Sequence, residues 1–251
     1  MSASPERPVA LVTGAARRIG AAITTHLHAS GYDVIIHYRR SVDEAHQLAA
    51  TLDALRPGSA LALSADLARP DDCERLVDEA AGWRGGRLDA LVNNASTFLR
   101  TPLGTIDSAA WQELIDGNLK AALFCSQAAA PWLRTAGGAI VNICDVRTER
   151  PLPQFSVYSA AKAGIVALTR ALALELAPDV RVNAVSPGSL DWPEDEIFHA
   201  AERMAIEAAI PLARLGSGHD IARAVAFLLN EGPYITGQVL AVDGGASLVS
   251  N

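Results

Sequence analysis

Tyr158 and Lys162 stand four residues apart in "VYSAAKAG", and Asp145 closes the apolar run "GAIVNICD" thirteen residues before the tyrosine. Positions i and i+4 lie on one face of a helix, so the phenol and the ammonium can act together. A free phenol titrates near pH 10, too high for ready proton exchange at neutral pH. A neighbouring ammonium favours the phenolate, so Lys162 is expected to lower the Tyr158 pKa. The carboxyl group of Asp145 can accept hydrogen bonds from ring N–H or amino groups and can pass a proton by way of Tyr158. That chemistry suits a nitrogen heterocycle better than a carbonyl. A Tyr-x-x-x-Lys spacing alone is common by chance, so its weight depends on the company it keeps.

That company is a nucleotide end. The first apolar run leads into "TGAARRIG", residues 13–20. Gly14 allows a tight strand-to-helix turn, and Gly20 lets the helix pack closely on the sheet. The free N–H groups and positive dipole end of the following helix suit a pyrophosphate. Arg18 can pair with a cofactor phosphate and reach a ligand beside it. At the end of the second run, "HYRRS" (residues 37–41) carries no carboxylate for a ribose 2′-hydroxyl. Arg39, Arg40 and Ser41 can instead receive a 2′-phosphate, which predicts NADPH rather than NADH.

These groups need a scaffold that brings strand ends to one side. Seven runs read as strands: "PVALVTG", "DVIIHYR", "ALALSAD", "LDALVNN", "GAIVNICD", "VRVNAVSPG" and "QVLAVDG". They are nearly continuous in Val, Ile, Leu and Ala, as strands buried on both faces require. Helix-length Ala- and Leu-rich segments separate them. The pattern predicts an α/β Rossmann fold, a doubly wound seven-stranded parallel sheet with helices on both faces. Residues 1–251 read as a single NADP-binding domain. The segment 190–210, which contains Trp192, leaves the sixth strand as a candidate substrate lid.

Bulk properties agree. The chain has 251 residues, half of them hydrophobic, and a formal net charge of −7. An acidic balance argues against nucleic acid or an anionic membrane as the main partner. Cys73, Cys125 and Cys144 show no metal-like spacing, and no metal site is expected. Reduced thiols and a start without a basic, apolar leader predict a cytoplasmic protein. No apolar run free of polar breaks reaches membrane-spanning length.

The ordered set of glycine turn, "SADLA", "VNNAS", "SPGS" and Tyr-x-x-x-Lys resembles the short-chain dehydrogenase/reductase family over residues 8–247. The resemblance implies that Asp66 and Leu67 hold the adenine, and that Asn94, Ala95 and Ser96 line the cofactor groove. It implies that Pro187, Gly188 and Ser189 cover the nicotinamide, and that Asn118 in "DGNLKAALF" holds a water behind Lys162. Gly14, Arg18, Ile19, His37 and Tyr38 complete the implied cofactor set, and Lys162 and Tyr158 also meet the nicotinamide ribose.

Within that family, "TGAARRIG", "HYRRS" and "NNASTFLRTPL" are similar to the pteridine reductases, which also carry Asp rather than Ser at the position of Asp145. This closer resemblance implies a pterin or folate substrate held by Arg18, Ser96, Phe98, Asp145, Tyr158 and Trp192, with Phe98 stacked on the ring. The implied reaction is NADPH-dependent reduction of dihydrobiopterin, dihydromonapterin or dihydrofolate. The order Ser189–Leu190 departs from the parasite enzymes, which have Leu-Ser there. A carbonyl reductase of the same family and a non-catalytic NADPH sensor remain alternatives. The resemblance also implies a homotetramer joined through long helices around residues 108–134 and 156–177.

Overall fold

The computed structural model describes residues 7–192 and 198–249. Its seven strands are β1 (Val9–Val12), β2 (Asp33–Tyr38), β3 (Ala60–Ser64), β4 (Ala90–Asn93), β5 (Ala139–Ile143), β6 (Arg181–Pro187) and β7 (Val239–Val242). All pair in parallel, in the order β3-β2-β1-β4-β5-β6-β7. The expected Rossmann sheet is present. The order reverses between β1 and β4, and a crevice opens there beyond the carboxyl ends of the strands.

Alternate residues of each strand feed two separate cores. Val9, Leu11, Ile35, Leu91, Ile140 and Val182 pack on one face, under α3 (Pro70–Gly82), α5 (Ala121–Ala136) and α6 (Ser156–Glu175). Ala10, Val12, Val34, Ile36, Val92 and Val141 pack on the other, under α1 (Arg18–Ala29), α2 (Val42–Leu55) and α8 (Gly218–Asn230). Burial on both faces holds for β1, β4 and β5 throughout and for β2 and β6 but for one end residue. It fails at the sheet edges, where β3 is half-buried and the middle of β7 is exposed. An edge strand has a neighbour on one side alone, so its apolar sequence is no guide to its burial.

The long helix expected at 108–134 is broken. The segment α4 (Ser108–Ile115) gives way to a π-helical turn, Asp116–Lys120, before α5 begins. Such a wide turn is a frequent mark of functional sites, and Asn118 sits buried within it. Helix α6 is apolar and long enough to cross a membrane by length and composition alone. Here it lies against the sheet, with Tyr158, Lys162 and Thr169 buried on its inner face. The three cysteines are buried and unpaired by disulfides.

The segment proposed as a lid runs from Leu190 through Trp192 to a short helix, α7 (Ala200–Ala208), which has no buried residue. Residues 193–197 of that segment lie outside the described residues.

Candidate active site

One cleft of about 680 Å³ collects every site residue singled out from the sequence except Asn118. At its nucleotide end the turn after β1 is built without room to spare. Gly14 has φ of +60°, and a side chain there would meet the Ala95 backbone at 2.9 Å. A Cβ on Gly20 would come within 2.2 Å of the Gly14 carbonyl oxygen. Thr13 and Asn94 brace the same turn: the Thr13 hydroxyl accepts from the Asn94 and Ala95 N–H groups, and the Asn94 amide donates to the Thr13 and Gly14 carbonyls. Arg18 keeps a glycine-like φ of +51°. That conformation costs a non-glycine residue roughly 1–2 kcal/mol. Its guanidinium donates to the Asp191 carbonyl oxygen at 3.0 Å, joining the turn to the segment that follows β6.

His37 plays a different part from the one its neighbours suggest. Its Nδ1 accepts from the Gly14 N–H at 3.0 Å, and its Nε2 lies 3.2 Å from the Ala65 carbonyl oxygen. Burial pushes its pKa down to about 4, so the ring is neutral and braces the turn from beneath. The two arginines that follow also differ. Arg39 lies 3.9 Å from Asp66 and 3.5 Å from Glu113. Arg40 is exposed and makes no ion pair or side-chain hydrogen bond among the described residues. Asp66 is therefore engaged by Arg39, whereas the Arg40 guanidinium has no partner among the described residues. Ile19, Tyr38, Ser41 and Leu67 line the same end, and Pro187, Gly188 and Ser189 close it from β6. Gly188 has no room for a side chain, since a Cβ would lie 2.6 Å from the Asp243 Cα.

At the chemical end, Asp145 and Tyr158 are joined directly. The Tyr158 hydroxyl donates to Asp145 Oδ2 at 2.6 Å, and the Arg147 N–H donates to Asp145 Oδ1 at 2.8 Å. Lys162 is buried on the same helical face as Tyr158, with its Nζ 2.9 Å from the Ile143 carbonyl oxygen, which accepts from it, and 5.8 Å from the Tyr158 ring centroid.

The expected effect of Lys162 on Tyr158 is not found. Burial, and then the charge and hydrogen bond of Asp145, push the Tyr158 pKa well above 10. The one charge that draws it down is that of Arg147. Burial also raises Asp145, against the hydrogen bonds from Tyr158 and the Arg147 N–H and the charges of Lys162 and Arg147. Burial lowers Lys162. Burial acts first, and the aspartate adds to it because it touches the phenol. The site therefore holds the phenol as a protonated donor, not as a phenolate base.

Asn118 lies behind this pair. Its amide donates to the Leu114 and Thr97 carbonyls, and its oxygen accepts from the Ser96 hydroxyl at 2.6 Å. It ties the loop after β4 to the π turn, and its side chain makes no bond to Lys162. Phe98 is held by two other aromatic rings. One face stacks on Phe155, with centroids 4.6 Å apart and planes 10° apart, and Tyr158 stands edge-on to it at 4.7 Å. Phe198 and Trp192 extend this aromatic wall from the lid segment. Trp192 is held by its Nε1–H, which donates to Glu207 on α7. Arg100 bonds both carboxylate oxygens of Glu202, so the loop after β4 grips the first turn of α7.

Sequence reasoning missed Arg147 and Phe155, both against the catalytic pair. A basic residue two positions beyond Asp145 and an aromatic three positions before Tyr158 were signals open to notice.

A Rossmann sheet with a tyrosine–lysine pair beside a glycine-turn nucleotide groove defines a nucleotide-dependent oxidoreductase. A family model described as "Enoyl-(Acyl carrier protein) reductase" matches residues 14–247. The chain belongs to the short-chain dehydrogenase/reductase family. It is 39% identical to pteridine reductase 1 of Leishmania tarentolae, covering 99% of both chains. It is 38% identical to a granaticin polyketide synthase putative ketoacyl reductase of Streptomyces violaceoruber, covering 98% of both. It is also 38% identical to the 3-oxoacyl-[acyl-carrier-protein] reductase of Staphylococcus aureus, over 94% of this chain and 96% of that one. The cofactor of this chain is NADPH/NADP+, which the groove fits: its glycines leave space for phosphates, and Arg40 has no carboxylate partner among the described residues.

Proposed function

We propose that this chain reduces a dihydropterin to the tetrahydro form at the expense of NADPH. Dihydrobiopterin, dihydromonapterin and dihydrofolate are the candidate substrates. The observation that carries this reading is the direct Tyr158–Asp145 hydrogen bond in the cleft. A carbonyl oxygen needs donors only. A pterin offers ring N–H and amino groups, which need an acceptor, and also ring nitrogens that take a proton. Asp145 supplies the acceptor and Tyr158 the proton.

NADPH, when bound, supplies the hydride. Gly14, Arg18, Ile19, Tyr38, Arg40, Ser41, Leu67, Ala95, Pro187, Gly188 and Ser189 would hold it, with His37 and Asn94 shaping the turn and Asp66 meeting the adenine. Tyr158 keeps its proton until substrate arrives and delivers it to the ring; Asp145 orients the phenol and accepts from the substrate. Lys162 would donate its ammonium to the nicotinamide ribose. Arg18 serves the ring nitrogen on the opposite side. Phe98, Ser96 and Trp192 line the substrate end. Segment 190–210 covers it as a lid within a single NADP-binding domain.

A carbonyl reductase is the second reading, favoured by nearly equal identity to 3-oxoacyl reductases. The aspartate opposes it, because a carboxylate repels a polarised carbonyl oxygen. A non-catalytic sensor would have no use for the buried Tyr158–Lys162 pair. We place the protein in the cytoplasm as a homotetramer. Leu123 on α5 and Leu174 on α6 are exposed apolar residues on the helices that would meet.

The deciding assay follows NADPH oxidation with dihydrobiopterin, dihydromonapterin, dihydrofolate and a ketone panel. Turnover of ketones with none of pterins overturns the pterin reading.

A further inference from the structure

Among the described residues, one cation at the substrate end of the cleft has no side-chain partner. Lys162 bonds the Ile143 carbonyl and Arg18 the Asp191 carbonyl. Arg147 lines the same cleft from the turn Val146–Thr148 that follows β5. Its backbone N–H is used on Asp145, yet its guanidinium makes no hydrogen bond or ion pair among the described residues. The same cleft is lined by the apolar side chains of Leu152, Phe98, Phe198 and Ile206 as well as by Asp145, Ser96 and Asp191.

A guanidinium is a planar fork of five donors, shaped for two-oxygen anions. It is near enough to the catalytic pair for its charge to act on both Asp145 and Tyr158. It stands two residues beyond Asp145, in the turn Val146–Thr148 that lines the cleft.

We propose that Arg147 forms an anion subsite, which selects a pterin whose side chain carries a carboxylate or phosphate. This rests on the pterin reading above. The catalytic pair handles the ring, and Arg147 reads the tail by a charge-assisted, two-pronged hydrogen bond. A neutral side chain leaves the guanidinium unpaired and loses that contact.

The test compares kcat/KM for dihydrobiopterin, whose tail is neutral, with dihydroneopterin monophosphate and dihydrofolate, on the wild-type enzyme and on Arg147→Met, Arg147→Gln and Arg147→Lys. The readout is the ratio of charged to neutral substrate. This ratio cancels any loss of folded enzyme and any uniform change at Tyr158. Arg147→Met should lower it about tenfold or more, Arg147→Gln should do the same if the methionine variant does not fold, and Arg147→Lys should restore part of it. The wild-type ratio should shrink as salt rises. A fall confined to the phosphate ester assigns a phosphate tail, and one confined to dihydrofolate assigns a carboxylate. An unchanged ratio in both neutral variants, with dihydrobiopterin still reduced, overturns the subsite and leaves the pterin reading standing. If the wild type reduces ketones and none of the three pterins, both fall together.

Discussion

Tyr158 and Asp145 share a 2.6 Å hydrogen bond in a buried setting, and each shifts the other's titration. The carboxylate favours the protonated phenol; the phenol O–H favours the ionised carboxylate. Burial opposes charge on both. The result is a proton held ready for delivery, which suits reduction better than oxidation of an alcohol.

Asp145→Ser breaks that coupling while leaving a hydroxyl in place. A hydrogen bond to a charged group contributes roughly 1.5–3 kcal/mol, so pterin turnover should fall about 10-fold to 150-fold while ketone reduction holds or rises. With the raising charge removed, the Tyr158 pKa comes down. The alkaline limb of kcat/KM should therefore move to lower pH in the serine variant. Pterin activity that is intact, with the alkaline limb unmoved, would make the aspartate incidental.

Tyr158→Phe keeps the ring that Phe98 touches and removes the proton. Loss of a positioned acid lowers kcat by about 10²-fold or more. NADPH affinity, read by fluorescence titration, should stay within a few-fold of wild type. Full activity in this variant would assign proton delivery to another group.

Cofactor preference should depend on Arg40 more than on Arg39, because Arg39 is already occupied by Asp66 and Glu113. Wild-type kcat/KM should favour NADPH over NADH by at least about 100-fold, as two charge-assisted contacts allow. Arg40→Ala should cut the NADPH value and spare NADH, whereas Arg39→Ala should have the smaller effect. Equal use of the two cofactors by the wild type would contradict this assignment.

His37 links the cofactor turn to pH. Its folded pKa is about 4, below the ordinary 6.5. A depressed histidine stabilises the fold above the unfolded value and loses that contribution as pH falls toward the folded one. Between pH 6.5 and 4 the loss is on the order of 3 kcal/mol. The wild-type Tm should therefore drop across this window, and His37→Gln should show a shallower slope there. Parallel slopes would remove His37 as the source.

Much of this molecule is legible in the amino-acid sequence. Apolar runs of strand length separated by helices yield the parallel sheet, because a buried strand must be apolar on both faces. Tyr158 and Lys162 meet because helical spacing is local and regular. Glycines at 14, 20 and 188 mark close backbone approaches, and the missing carboxylate after β2 marks the cofactor. The tertiary structure decided the remainder. It buried the Tyr158 hydroxyl and placed Asp145 on it, which together reversed the expected pKa shift. It engaged Arg39 but not Arg40, stacked Phe98 on Phe155, exposed the middle of β7 and left Arg147 unpaired in the cleft. These outcomes depend on distances and burial between segments far apart in the chain. Side-chain electrostatics falls steeply with distance and grows with desolvation, and residue order encodes neither until the chain has folded.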